Sequence, residues 1–272
     1  MRKFEAVRNV YNSKFHYLID AHLHIDQYGN DLPIALEQIR TLSICSLAVS
    51  MDIPSYHETV KIAKSEPLIL PSFGIHPWNA PEYTNRLDEI DELLETAPAI
   101  GEIGLDHRFV EDKTKYQAQE TVFRYQLEAA ENFGKLINLH TSGAEDLILQ
   151  HLKTRSLPAV IVHWYNGPME MVKNFLDLGA YFTIGVEVFQ SERIRKLASI
   201  LPEDRILTET DNPNGWEWLH GEPGFPTLIE NVESEIAEIR NLSRPYFSDF
   251  VSSNFKELLI ASNLSQFCSL NS

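Results

Sequence analysis

Eight short apolar runs, separated by longer stretches with helical periodicity, constrain this chain more than any other feature. The runs cover 17–23, 44–50, 68–75, 98–104, 135–139, 159–162, 180–184 and 205–209. They are rich in Ile, Val and Leu and nearly continuous in hydrophobicity, as strands covered on both faces are. Between them, Tyr116, Phe123, Leu127, Ala130 and Phe133 recur as one face of a long helix over 114–133. Ile90, Leu93 and Leu94 do the same over 82–96, and Met171, Phe175 and Leu178 over 168–178. After the last run, Leu228, Val232, Ile236 and Ile239 mark another helix, and Phe250, Phe255, Leu258 and Leu259 a final one. Strand–helix alternation implies parallel strands joined by crossover helices. Eight such strands predict a closed α/β barrel, a TIM (β/α)8 fold, as a single domain over 16–272, with residues 1–15 as a lead-in. A doubly wound open sheet is the alternative. No Gly-rich phosphate fingerprint follows the first run, which counts against it.

The totals agree with one large domain. A chain of 272 residues with 43% hydrophobic residues can bury the core such a barrel needs. No run approaches the roughly 18 apolar residues of a membrane helix. The opening Met1-Arg2-Lys3-Phe4-Glu5 leads into no apolar core of a secretory signal. Cys45 and Cys268 are too few and too far apart for a disulfide framework and read as small buried hydrophobes. The expectation is a cytoplasmic protein with no membrane contact and no obligate protein partner. The net charge of −16, from 23 Lys and Arg against 39 Asp and Glu, is the opposite of a basic surface that grips long duplex DNA. A phosphodiester substrate would have to find its positive charge in bound metal.

In a barrel of this kind the chemistry sits where strands end. The first run ends in His22 and His24, which share one side of a strand because its side chains alternate. The third leads to His76-Pro77-Trp78, and the fourth carries Glu102 and, past its end, Asp106. The fifth ends in His140, the sixth in His163-Trp164, and the eighth in Glu209-Thr210-Asp211. Five of the 10 histidines stand at such ends. Each has a plainer reading: a satisfied core histidine for His140 or His163, a buried ion pair for Glu102, a loop cap for His76 or Asp106. Together they read as metal ligands: His22, His24, Glu102, His140, His163 and Asp211. His76, Asp106, Glu209 and Trp164 are candidates for substrate contact or for supporting the ligands. Asp211 is preferred over Glu209 because it lies at the tip. Four histidines and two carboxylates exceed the three or so protein ligands of one catalytic ion and suit two divalent cations, Mg, Mn or Zn. Glu102 would bridge them, and Asp211 would take the proton of an attacking water; these two are the catalytic candidates. Trp216 and Trp218 are placed in the loop after the eighth strand, as cleft wall or as core packing. His16, His57, His107, His151 and His220 are assigned no role.

The ordered series Asp20-Ala21-His22-Leu23-His24, Gly74-Ile75-His76-Pro77, Gly101-Glu102-Ile103-Gly104-Leu105-Asp106, His140, His163 and Glu209-Thr210-Asp211 resembles the TatD family of metal-dependent hydrolases, in the amidohydrolase superfamily of TIM barrels. The resemblance runs from about residue 18 to Asn254-Phe255. It implies a dinuclear site, with one ion on His22, His24, Glu102 and Asp211 and the other on Glu102, His140 and His163. It also implies a metal-dependent deoxyribonuclease, of the 3′–5′ exonuclease type, acting on single-stranded or terminal DNA. Three stretches depart from the family. His140 is followed by Thr141-Ser142-Gly143, without the Arg that can contact phosphate. His163 is followed by Trp164-Tyr165 in place of Cys-Phe. The segment Leu219-His220-Gly221-Glu222-Pro223-Gly224-Phe225-Pro226 has an acid and no Lys or Arg. The ligand types are kept while phosphate contacts are thinned. The alternatives are therefore a hydrolase of a small amide, ester or lactone, and a catalytically silent metal-binding partner protein.

Overall fold

A computed structural model describes residues 17–269; the lead-in, His16 and the side chain of Cys268 lie outside the described residues. Eight strands form one parallel sheet in the order of the chain: β1 (Leu18–Leu23), β2 (Ile44–Val49), β3 (Ile69–Phe73), β4 (Ala99–Gly104), β5 (Ile137–His140), β6 (Val160–Val162), β7 (Tyr181–Ile184) and β8 (Ile206–Thr208). Each lies within an apolar run of the sequence except β5, which runs one residue past it to take in His140. The crossovers carry α1 (Leu32–Leu42), α2 (Ile53–Ala63), α3 (Ala80–Tyr83), α4 (Asp91–Thr96), α5 (Tyr116–Phe133), α6 (Glu145–Leu152), α7 (Val172–Asp177) and α8 (Glu192–Ile200). After β8 come α9 (Asn214–His220), α10 (Leu228–Ile239) and α11 (Arg244–Ala261). This is a TIM barrel. No described helix is long and apolar enough to cross a membrane.

The strands are short and buried because helices cover one face and the packed barrel interior the other. Every residue of β2 and β4 is buried, as continuous apolar runs demand. The last strand returns to the first without a regular ladder. The seam is closed instead by polar groups: Asp20 accepts from the Thr210 backbone N (2.9 Å) and Oγ1 (2.7 Å). Asp211 N donates to the His22 carbonyl (3.0 Å) and His24 N to the Asn212 carbonyl (3.0 Å). Burial pushes the Asp20 carboxyl up to about 7, against the lowering effect of the Thr210 hydrogen bonds.

Two ladders slip by one residue. Asp20 and Leu23 face Ser46 and Ala48, and Ile100 and Ile103 face Ile137 and Leu139. Each slip adds a residue to the strand that carries a site side chain, His22 in one case and Glu102 in the other. Such bulges re-aim side chains at barrel rims. The second ends at Gly104, whose φ of +156° and close approach to the His140 backbone carbonyl leave no room for a Cβ.

The helical reading needs four corrections. The segment 82–96 is not one helix: α3 ends at Tyr83, Arg86 leaves helical geometry (φ −139°, ψ 31°), and α4 starts only at Asp91. Over 168–178 the α-helix begins at Val172, after a 3-10 turn. Phe133 and Leu178, placed on buried faces, are exposed at helix ends, where the turn that would cover them is missing. Trp216 and Trp218 lie in α9 and not in a loop.

Glu233, buried between α10 and α11, has its carboxyl raised to about 7 by burial, partly offset by Arg244 (3.4 Å) and Ser248 (3.2 Å). A folded-state value above the unfolded 4.5 means that the native state holds the proton more tightly. Stability from this group is therefore present below the unfolded value and declines as pH rises to about 7. Unfolding by urea should show Glu233→Gln gaining on the native chain between pH 5 and pH 8, by about 2–3 kcal/mol. A difference independent of pH would contradict this.

Candidate metal centre at the barrel mouth

The chain delivers its polar groups to one end of the barrel. His22 lies on β1 and His24 just past it, Glu102 on β4, His140 at the end of β5, His163 after β6 and Asp211 after β8. Glu102 is at the centre, nearly fully buried, and its two oxygens face different nitrogens. Oε2 lies 3.6 Å from both His22 Nε2 and His24 Nε2. Asp211 Oδ1 completes that group, 3.5 Å from His22 Nε2 and 3.4 Å from His24 Nε2. Oε1 faces His140 Nδ1 (2.8 Å), His163 Nε2 (2.9 Å) and His76 Nε2 (3.4 Å). His22 and His163 stack with centroids 3.7 Å apart, so the two groups share a wall.

The first group has the spacing of ligands and not of hydrogen-bonded partners. Arms of about 2.0–2.2 Å separate the donors of a tetrahedral cation by about 3.3–3.6 Å. Its histidines are also in the right state. Burial, with neighbouring histidines, lowers His22 well below its usual value and His24 to about 4, so both are neutral with a free lone pair. Burial alone would raise Glu102, but His76, His163 and His140 outweigh it and hold the carboxylate ionised. Burial raises Asp211 well above the carboxylate range, and the nearby Glu102 and Glu209 add to this. His140 and His163 are raised despite burial, by the carboxylates they face. The neutral His22 and His24 beside the ionised Glu102 carboxylate make a donor set suited to a cation.

The side chains around the ligands orient them. Asn138 Nδ2 donates to the Ala21 carbonyl (3.0 Å), which can only accept, so its Oδ1 is left to accept from His22 Nδ1 (2.9 Å). That bond puts the proton on Nδ1 and leaves Nε2 bare toward the centre. Asp106 is fully buried and does two things. Its Oδ1 caps the following loop at the backbone N of Arg108 (3.0 Å) and Phe109 (2.8 Å). Its Oδ2 meets His140 Nε2 (3.2 Å) and accepts from Trp78 Nε1 (2.6 Å). His76 joins Glu102 and His140 in one group. The Trp78 backbone N donates to His76 Nδ1 (3.2 Å), which turns Nε2 to Glu102. Glu209 is fully buried behind the site, 3.5 Å from His163 Nδ1, and accepts from the Trp164 backbone N (2.9 Å). It supports His163 and does not face the cleft. Trp164 has a φ of +36° and donates from Nε1 to Glu187 (2.7 Å). Asp211, at φ +54°, also sits in the left-handed region, which Asp tolerates, and its side chain keeps about 20% exposure. The remaining histidines lie apart: His107 stacks on Tyr116, His220 on Trp216, His57 lies beside Tyr56, and His151 pairs with Glu120.

Sequence reading missed Asn138 and the Asp20–Thr210 clasp. Asn138 could have been found, since it stands two residues before His140 on the same face of β5. A cleft of about 1180 Å³ opens above the centre. Its wall includes His24, His76, Glu102, His140, His163 and Asp211.

A parallel eight-stranded barrel with this centre at the C-terminal ends of its strands defines a metal-centred hydrolase barrel. The chain belongs to the TatD family: the family of TatD-related DNases matches residues 19–260. A Bacillus subtilis (strain 168) protein named as an uncharacterized metal-dependent hydrolase, YabD, is 28% identical over 247 residues, 88% of this chain and 96% of its own. Among solved structures, the TatD homologue YjjV of Escherichia coli K12 is similar with a TM-score of 0.80 at 23% identity, covering 88% of this chain and 96% of its own. A Deinococcus radiodurans PTE-like lactonase variant shares the fold with a TM-score of 0.64 at 13% identity, covering 90% and 96%.

Asn138→Leu removes the acceptor that holds His22. Metal affinity, measured by competition with a chelator, should fall about 10–100-fold with the far-UV circular dichroism unchanged. Undiminished affinity would remove Asn138 from this role.

Proposed function

We propose that the protein is a divalent-metal-dependent hydrolase that cleaves phosphodiester bonds, acting as a deoxyribonuclease at single-stranded or terminal DNA. The observation that carries the metal chemistry is the Glu102 carboxylate, each of whose oxygens faces its own set of donors. In this reading His22, His24, Glu102 and Asp211 hold one cation and Glu102, His140 and His163 the other. When bound, such a pair polarises a phosphoryl oxygen and makes water acidic enough to attack at neutral pH. Glu102 would belong to both sets, because its Oε2 faces His22 and His24 and its Oε1 faces His140 and His163. Asp211 is the base: it lies at the tip, borders the cleft and keeps partial exposure, so a proton it accepts can leave to solvent. Asn138, Asp106 and Glu209 keep His22, His140 and His163 turned to the centre. The family match supports DNA as the substrate.

One observation favours a second reading, hydrolysis of a small amide, ester or lactone. Among the described residues that line the cleft, Lys115 is the one Lys or Arg, against Glu111, Asp112 and Glu217 at the wall. The lactonase neighbour agrees with that alternative at the level of fold alone. A silent metal-binding partner is disfavoured, because a scaffold needs no proton acceptor at the cleft.

The purified protein should carry about two divalent ions per chain by elemental mass spectrometry. It should shorten 3′-labelled single strands with Mg²⁺ or Mn²⁺, and stop with chelator. Asp211→Asn should lower kcat by about 10²–10⁴-fold while most of the metal is retained. No DNA cleavage together with turnover of a lactone or ester would select the second reading, and an unimpaired Asp211→Asn rate would reject the base.

A further inference from the structure

Three large aromatic side chains are exposed around this cleft: Trp78 (51%), Phe109 (49%) and Trp218 (75%). Exposed apolar groups gathered at a concave site mark recognition and not chance. They are also held in place. Trp78 is pinned by its bond to Asp106, and the Phe109 backbone by the other oxygen of the same carboxylate. The rings of Phe109 and Trp218 meet edge to face, 6.0 Å apart. Helix α9, which carries Trp218, is anchored by Trp216, edge-on to Phe189, and by the close seat of Gly215 against Trp164. Side chains ordered in this way lose little freedom when a flat ligand arrives.

Charge decides what that ligand is. Glu111, Asp112 and Glu217 line the same cleft and repel a long phosphate backbone, and Lys115 supplies cationic contact for about one phosphate. What the aromatic rim accepts is neutral and flat. We propose that Trp218 and Phe109, with Trp78, form a stacking subsite for the unpaired base of a terminal nucleotide. The inference rests on the phosphodiesterase reading of the centre and deepens it: affinity comes from the base face, and an acidic protein thereby recruits the end of a polyanion. Stacking of this kind tolerates any base.

The test uses the metal-loaded full chain and two products that a phosphodiesterase cannot cut further, dAMP and deoxyribose 5-phosphate. By isothermal titration, dAMP should bind at least 5-fold more tightly than the base-free sugar phosphate. Trp218→Ala should remove that advantage and Trp218→Phe should retain it. On 3′-labelled single strands Trp218→Ala should raise KM at least 5-fold for a base-bearing end and leave KM unchanged for an abasic end. Equal binding of the two probes overturns the subsite whether or not DNA is cleaved, and so does a KM indifferent to Trp218. Preference for dAMP that depends on Trp218, without any strand shortening, supports the subsite and rejects the cleavage reaction. Binding of an apolar lactone in place of dAMP overturns the subsite.

Discussion

The structure depends on keeping one carboxylate ionised inside a barrel. Glu102 is 3% exposed and, among the described residues, pairs with no Lys or Arg; its stabilisation comes from imidazoles at four other strand ends. An isolated buried charge of this kind would be expensive. It is tolerated because β1, β3, β5 and β6 each have a histidine at or just past their ends, and because a bulge in β4 turns the carboxylate toward them. Removing any one of these ends leaves a charge without part of its surroundings. Fold and site are therefore one arrangement.

The same logic explains the polar groups behind the centre. Asp20, Asn138, Asp106 and Glu209 are all buried, and each meets a backbone group or a histidine of the site. The Asp20–Thr210 clasp closes the barrel where no regular ladder does, and it holds the turn that presents Asp211. Closure of the barrel and placement of Asp211 are thus the same event. Glu111, Asp112 and Glu217 give the cleft wall acidic groups, and Trp78, Phe109 and Trp218 give it aromatic ones.

Much of this was legible in the chain. The eight strands coincide with the apolar runs, to within a residue at β5, because parallel strands buried on both faces must be nearly continuous in hydrophobicity. His22 and His24 were legible as a pair because strand side chains alternate. The helices were less so: 82–96 breaks at Arg86, and Phe133 and Leu178 are exposed, because periodicity does not say where a neighbouring helix stops covering a face. Asn138 and Asp20 were missed because an Asn or Asp inside a strand has no meaning until its partner across the barrel is known.

By itself the sequence determined the fold class, the order of the strands and the set of candidate ligand types, since these follow from local hydrophobic pattern and from what terminates each run. Only the tertiary structure decided that the two Glu102 oxygens face separate groups, that His76 joins one of them, and that Glu209 stands behind His163. It also decided that Trp78, Phe109 and Trp218, up to 140 residues apart in the chain, meet at one cleft. Barrel closure brings together residues from distant crossovers, and no local pattern along the chain carries that distance information.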